Sequence, residues 1–381
     1  MSALMNSALM NDWLDLDYRP ALPQNKEIGI GIIGAGEIVE ACHLPAYQMG
    51  GLRVVGIFDL NRERAERLAA KFGIAKVYRE LDELLLDADV RIVDLAVPAR
   101  VQPDIAERAA AAGKHMLCQK PLAESYGEAV RIAEACAKHG IKGAVNQQMR
   151  WSPSIRASRT IIRRGWLGEL LQATIQVNVK QEFANWGWLR EMPTLEFMYH
   201  SIHYMDAIRF LFGTPEYVYA DGARFPGQRT IGETRTLLHV KFPGEARGLI
   251  HDNHNHIAGE DDWFATYRFE GTEGIVKGTN GSLYNYPVGR EDTLSFHAKA
   301  IHEDYWFTPR LHGKWFPHAF MGTMGELMRA VEEEREPENS VADNLETMQM
   351  VFGAYLSMRE NRPVTLAEIA NGANGANGVK G

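Results

Sequence analysis

At 381 residues, with 45% hydrophobic and 24% charged side chains, the chain has the make-up of a globular protein long enough for two domains, each with its own core. Its formal net charge of −8 is spread along the sequence, which argues against a nucleic-acid-binding footprint, and no apolar run approaches the ~20 residues of a membrane span. The three cysteines, Cys42, Cys118 and Cys136, are odd in number and lack metal-ligand spacing, so they read as reduced packing residues of a cytoplasmic protein.

Residues 1–26 form an N-terminal arm. It holds two near-copies of Ser-Ala-Leu-Met-Asn, then Trp13, Leu14, Leu16 and Tyr18. With no basic leader and no long apolar stretch it does not read as a secretory signal. It is either a flexible leader or an arm that anchors Trp13 and Leu16 on the same or a neighbouring subunit. Residues 27–59 then read as strand, glycine turn, helix and strand. Ile28–Ile33 is a short β-branched run, Gly34-Ala35-Gly36 the turn, Pro45 lies in the helix, and Val54–Phe58 is the second strand, closed by Asp59. This is the layout of a dinucleotide-binding βαβ unit. Gly34 permits the tight turn and Gly36 lets the backbone approach a pyrophosphate held at the helix start. Asp59 stands where a carboxylate accepts the hydroxyls of an adenosine ribose. Val39 occupies the place of the third glycine, which implies a slightly wider fit between helix and strand.

Strands and helices continue to alternate: helix 61–72, strand 76–78, helix 81–86, strand 90–97 stopped by Pro98, helix 103–112, strand 115–118, helix 126–139 and strand 142–146. That order predicts a parallel sheet covered on both faces, a Rossmann domain over residues 27–149. The pattern then changes. A helix at 155–164 is followed by strands at 170–180, 216–222, 234–242, 246–253, 263–270 and 274–279, separated by Pro243-Gly244, Gly271 and Asn280-Gly281, with closing helices at 319–334 and 341–361. Alternating sides and turn residues predict a large, mostly antiparallel open sheet in an α+β domain over residues 150–370. Residues 371–381, an Asn-Gly-Ala repeat, cannot bury a core and read as disordered.

Several stretches resemble the Gfo/Idh/MocA oxidoreductases, nicotinamide-dependent dehydrogenases of sugars, cyclitols and related polyols. They are Gly34-Ala35-Gly36-Glu37-Ile38 running to His43-Leu44-Pro45-Ala46, Asp59-Leu60-Asn61-Arg62-Glu63-Arg64-Ala65, Ala112-Gly113-Lys114-His115 through Gln119-Lys120-Pro121-Leu122-Ala123, Arg150-Trp151-Ser152-Pro153, and His203-Tyr204-Met205-Asp206 leading to Phe212-Gly213. The resemblance covers about residues 26–369. It implies cofactor contacts from Gly34, Gly36, Glu37, Ile38, Asp59, Arg64, Val97, Pro98, Gln119, Lys120 and Asn146. Asp59 favours NAD over NADP, because a carboxylate repels a 2′-phosphate, although Arg62 and Arg64 are close enough in sequence to soften the choice. Gln102 stands where many members carry a histidine.

In that family the lysine of a Glu-Lys-Pro motif points into the active site, a role Lys120 inherits, with Gln119 in place of the glutamate. Losing that carboxylate removes an influence favouring the ammonium, so Lys120 is expected to deprotonate more easily than in its relatives. The second family signature is an Asp four residues before a His, with another Asp three residues after it. Here Tyr199 replaces the first Asp, and His203 and Asp206 match the rest. On a helix these share one face. His203 is the candidate acid–base, Lys120 the electrostatic partner of the developing alkoxide, Tyr199 a hydroxyl donor or a pocket wall, and Asp206 a structural partner. The candidate substrate residues are Lys120, Arg150, Trp151, Lys180, Tyr199, His200 and His203, with the neighbouring stretches Gln181 and Asn185–Trp188. The run His251–His256 suggests a metal, but the family is not generally metal-dependent, so no metal is assigned and the run reads as surface or pocket rim. The expected activity is NAD-dependent oxidation or reduction at a secondary alcohol of a sugar, sugar derivative, glycoside or cyclitol. The alternatives are an enzyme that recycles tightly bound NAD through a transient keto-sugar and a non-catalytic dinucleotide-sensing regulator. An uncovered sheet face predicts a homodimer or homotetramer.

Overall fold

The computed structural model describes residues 15–180, 187–284 and 288–372; Trp13, Leu14, Gln181, Asn185, Trp186 and the repeat beyond Gly372 lie outside them. Its first sheet is built on β1 (Ile30–Ile33), whose four residues are all buried. β1 pairs in parallel with β2 (Val54–Phe58) on one side and β4 (Ile92–Leu95) on the other. With β3 (Lys76–Val77), β5 (His115–Cys118) and β6 (Gly143–Val145) the strand order is β3-β2-β1-β4-β5-β6, the expected doubly wound arrangement. The central strands are buried on both faces, which is why they read as largely apolar runs, while the edge strand β3 has Lys76 exposed. The covering helices are α1 (Leu44–Gly50), entered through a π-helical turn at Val39–His43, α2 (Arg62–Phe72), α3 (Leu81–Leu86), α4 (Gln102–Ala111) and α5 (Tyr126–His139). Asn61 and Ser125 begin α2 and α5 by accepting the amides of Arg64 and Glu128.

The strand order reverses between β1 and β4, so the crevice beyond their carboxyl ends is where a ligand is bound in such sheets. Gly34 turns the chain there at φ +110, and a Cβ on it would lie 2.3 Å from the Ala96 carbonyl, so no other residue fits.

The second unit comprises α6 (Pro153–Arg163), β7 (Leu170–Asn178), a π-helical turn at Phe197–Ser201 continuing as α7 (Ile202–Phe212), β8 (Tyr217–Ala223), β9 (Arg235–Lys241), β10 (Arg247–Asn253), β11 (Phe264–Gly271), β12 (Gly274–Thr279), β13 (Thr293–Ala298) and β14 (Trp306–Phe307). It closes with α8 (His318–Glu332), α9 (Val341–Glu360), β15 (Val364–Thr365) and α10 (Leu366–Gly372). The nine-stranded sheet runs β14-β13-β12-β11-β7-β10-β9-β8-β15 and is antiparallel apart from β7 beside β10. Ala173, Ile175 and Val177 of β7 face the core while Gln172 and Gln176 on the other side are exposed. β13, β14 and β15 were not expected from sequence. β13 carries the alternation Leu294, Phe296, Ala298 inward, whereas β14 and β15 are two-residue strands too short for any periodicity. α10 also runs two residues into the stretch expected to be disordered.

Two features tie the units together. Phe320, Met324, Leu327 and Met328 of α8 pack into the core of the first sheet with Ile30, Ile32, Ala46 and Tyr47. The arm is anchored on its own chain: Leu16 and Tyr18 are buried, and the amides of Gln24 and Asn25 donate to the Glu332 carboxylate. No described helix is long and apolar enough to cross a membrane.

Candidate active site

The glycine turn and the end of β2 are held to each other by one side chain. Asp59 accepts the Ala35 amide at 2.6 Å with one oxygen and the Asn61 amide at 2.7 Å with the other. A Cβ on Gly36 would meet nothing within 4 Å, so backbone is bare on the crevice side of the turn, as a close-lying pyrophosphate requires. Glu37, Pro98 and Arg64 are exposed, and Ile38 and Val97 half-buried, around this turn and the end of β4.

Lys120 leaves the end of β5 on a loop with a cis Lys120–Pro121 bond. Gln102, fully buried at the start of α4, brackets that loop. Its amide donates to the carbonyls of Gln119 at 2.9 Å and Leu122 at 2.8 Å, and its oxygen accepts the Gln119 amide at 2.8 Å. This is the physical role of the glutamine that stands in place of a histidine. Gln119 in turn accepts the Lys120 backbone amide, which fixes its side-chain NH₂ toward His43. Asn146 is fixed the same way, its oxygen accepting Thr323 of α8 and its NH₂ lying 3.2 Å from the same His43 Nε2. Two amide donors on Nε2 make Nδ1 the protonated nitrogen, and it donates to Asp94 at 2.6 Å, where the Tyr47 hydroxyl also donates. All of these groups are deeply buried except Gln119, which is partly covered.

On the other side Lys120 Nζ donates to the Tyr199 carbonyl at 2.5 Å. Burial pushes its ammonium down to about 8, against the opposing pull of Glu196. Tyr199 lies in the π-helical turn. Its ring meets Trp188 edge-on at 5.1 Å and its hydroxyl donates to Glu124 at 3.2 Å. His203, one turn further on, is 3% exposed, stands edge-on to Trp315 at 5.3 Å, and has no hydrogen-bond partner for Nδ1 among the described residues. Burial, with Lys120 and His200 nearby, holds it well below the ordinary histidine range, so it is neutral at physiological pH.

The start of this turn is fixed by Glu233, whose carboxylate accepts amides of Leu195, Glu196 and Phe197 and the Tyr355 hydroxyl. Glu196 is thereby set among two imidazoles. His200 Nδ1 lies 3.1 Å from its Oε1 and His254 Nδ1 3.0 Å from its Oε2, and the two rings are 4.1 Å apart. Burial alone would raise the Glu196 carboxyl, but His254 and His200 outweigh it and hold the group below the usual range. Ser201 links Glu196 to Asp252, which burial and the Glu196 charge push far up, so of these two carboxyl groups Asp252 keeps the proton.

The structure brings Lys120, Tyr199, His200 and His203 to one place. It puts Arg150 elsewhere. That side chain, 2% exposed, grips Asp206 with two bonds at 2.6 and 2.7 Å and reaches Asp343 at 2.6 Å, while Arg209 holds the other side of Asp343. Arg150 is therefore a buried structural cation and not a pocket wall, because its guanidinium is fully engaged by carboxylates and the Glu338 carbonyl. Trp151 is likewise buried, against α8 where Gly322 leaves room for it. Lys180 is exposed beyond β7. The surface reading of the histidine run fails for His254, which is fully buried beside Asp252, whereas His251 is half-buried and His256, paired with Asp262 at 2.9 Å, is likewise partly exposed. The residues not anticipated were Asp94 and Tyr47, Glu196, Glu233 and Trp315. Two of them left a signal: an acid inside a buried strand at Asp94, and the four-residue spacing of Glu196 and His200 on one helical face.

Residues 28–147 match the Gfo/Idh/MocA oxidoreductase family, NAD-binding Rossmann fold, and residues 155–284 match the Gfo/Idh/MocA C-terminal domain. The chain is similar to a D-apiose dehydrogenase of Paraburkholderia graminis, 25% identical over 344 residues that cover 89% of each protein. Among solved structures it is similar to an oxidoreductase from Agrobacterium radiobacter in complex with NAD+, L-tartaric acid and magnesium (TM-score 0.79, 21% identity, covering 90% of this chain and 99% of that one). It is also similar to a levoglucosan dehydrogenase in complex with NADH and levoglucosan (TM-score 0.75, 21% identity, covering 89% and 99%).

Proposed function

The chain belongs to the Gfo/Idh/MocA oxidoreductase family and its first domain is an NAD-binding Rossmann domain; from this premise we propose that it moves a hydride between NAD and a secondary alcohol of a sugar, sugar derivative, glycoside or cyclitol. The observation that carries the reading is the bond from Lys120 to the Tyr199 carbonyl, one helical turn before His203, with Lys120 beyond the carboxyl end of β5 on the same edge of the sheet as the bare glycine turn. When bound, NAD supplies the hydride acceptor. Its pyrophosphate is assigned to the amides after Gly34 and Gly36, its adenosine ribose to Asp59, which favours NAD over NADP, and its nicotinamide end to the region of Val97, Pro98, Gln119 and Asn146.

The rest is done by the protein. His203, neutral and with no partner for its buried Nδ1 among the described residues, takes the alcohol proton. The Lys120 ammonium holds the alcohol oxygen and stabilises the negative charge that grows there. Tyr199 and Trp188 supply the aromatic wall against which a ring can lie, and Trp315 orients His203. Exposed Tyr219, Leu237, Leu249 and Trp306 on the outer face of the nine-stranded sheet support association with a second copy through that face, as a dimer or tetramer.

The test follows reduced-nicotinamide absorbance on mixing the protein with NAD or NADP and a panel of sugars, sugar acids, glycosides and inositols, with Lys120→Ala as control. A substrate-dependent rise with NAD that the variant lacks is the expected result. A flat trace across the panel, with cofactor retained and sugars altered on chromatography, replaces this reading with one in which bound NAD is recycled.

A further inference from the structure

We propose that Glu196, His200 and His254 form a site for one divalent transition-metal ion of the Zn²⁺ class, a site separate from the residues that handle the hydride and alcohol proton. The inference goes beyond the dehydrogenase reading; metal binding does not depend on it, and only the ligand assigned to the open position rests on it.

Three kinds of observation support it. The first is chemical. One carboxylate and two imidazoles are the donor set that Zn²⁺ and similar borderline ions prefer, and all three side chains are buried. The second is geometric. One donor atom from each residue lies within 4.8 Å of the other two, and Glu196 stands 3.1 Å from His200 Nδ1 and 3.0 Å from His254 Nδ1. Ligand atoms about 2.0–2.1 Å from a tetrahedral ion are about 3.3 Å apart; each imidazole already stands near that distance from one Glu196 oxygen, His200 from Oε1 and His254 from Oε2, so the side chains converge and need only turn inward to share an ion. The third is the support behind the ligands. His200 Nε2 lies 3.4 Å from the Tyr204 hydroxyl and Ser201 donates to Glu196, the outer contacts that orient a ligating imidazole and a ligating carboxylate. The backbone is equally fixed, by the Glu233 cap on the turn and by β10, whose last residue Asn253 pairs with Asn178 and Arg235.

The donors come from two segments and meet only in the fold. Three protein ligands leave a tetrahedral ion one open position. Tyr199, in the same turn between Glu196 and His200, carries the carbonyl that holds Lys120. The ion is therefore next to the pocket, and its open position suits an oxygen of a polyol, a hydroxyl beside the carbon to be oxidised or a carboxylate of a sugar acid.

The experiment uses the full chain. Protein stripped with EDTA and returned to metal-free buffer is titrated with Zn²⁺ and with Co²⁺, and metal is counted by mass spectrometry after gel filtration. One equivalent per chain, and visible Co²⁺ absorption of a four- or five-coordinate ion, are expected; Glu196→Gln and His254→Gln each weaken binding at least ~10-fold. X-ray absorption on zinc-loaded wild-type protein reads the same site without a variant, and two imidazole nitrogens in the first shell are expected. No stoichiometric binding by wild-type protein, or a bound ion without imidazole in its shell, overturns the proposal. None of these readouts is dehydrogenase activity, so a failed substrate panel and a failed metal titration remain distinguishable.

Discussion

Two buried carboxylate–histidine assemblies flank Lys120, and they are built on opposite principles. On the side of the first domain, Asp94 serves one imidazole and one phenol, and the second nitrogen of His43 is met by amides whose orientation is fixed by other bonds. That network is closed except at Asp94 Oδ1, which has no partner among the described residues, and it ties the ends of β4, β5 and β6 to α8. On the side of the second domain, one carboxylate, Glu196, is shared by two imidazoles whose rings converge. A closed network positions its neighbours; a convergent one gathers donors around a point. Lys120 touches both, through Gln119 on one side and the Tyr199 carbonyl on the other.

The largest effect comes from removing what stands between them. Lys120→Ala is expected to lower kcat by about 10³-fold, and His203→Ala by about 10²-fold, with NAD affinity by fluorescence titration changed less than about threefold in each. If either variant keeps normal turnover, the division between a positioning side and a reacting side is wrong. Next is the closed side itself. Gln102→Ala leaves the buried loop polar groups at Gln119 and Leu122 short of partners and is expected to cost about 2 kcal/mol in chemical denaturation. A variant as stable as wild type would show that the bracket around the lysine loop is dispensable. The smallest effect sharpens the comparison through pH. Catalysis as proposed needs the Lys120 ammonium, so activity is to fall as pH rises through about 8, and His203, already neutral, is to impose no loss on the way down from pH 7 to pH 6. Gln119→Glu restores a carboxylate next to the lysine loop and moves the alkaline limb upward by about half a unit. An unmoved limb would mean that burial alone sets the lysine.

The same contrast decides what could be read without the fold. Backbone and consecutive residues make most of the cofactor side, so strand, glycine turn, Asp59 and the Gln119-Lys120-Pro121 loop were legible in order. His43 was visible as part of a motif, but its partners Asp94, Gln119 and Asn146 come from three different strand ends, and only the sheet brings them together. Tyr199, His203 and Asp206 were found through the family signature; their spacing gave a shared face if helical, but the helix itself, Ile202–Phe212 with the turn before it, was not among the expected elements. What Arg150 would do was not legible: its partner Asp206 lies on α7, and a buried ion pair has the same sequence signature as a pocket arginine. His254 was missed for a related reason. Polar runs read as surface unless a partner is known, and its partner, Glu196, sits at the other end of a long excursion through the sheet.

The position of α8 has a consequence for how the protein is made. Its apolar face belongs to the nucleotide half, yet it is encoded after almost the whole second unit, at His318–Glu332. A ribosome delivers the six parallel strands early, but the surface formed by Ile30, Ala46 and Tyr47 has no cover until more than four-fifths of the chain has emerged. The nascent first half therefore waits with an open apolar flank that invites chaperone capture, and a fragment cut at the apparent domain border carries that flank permanently.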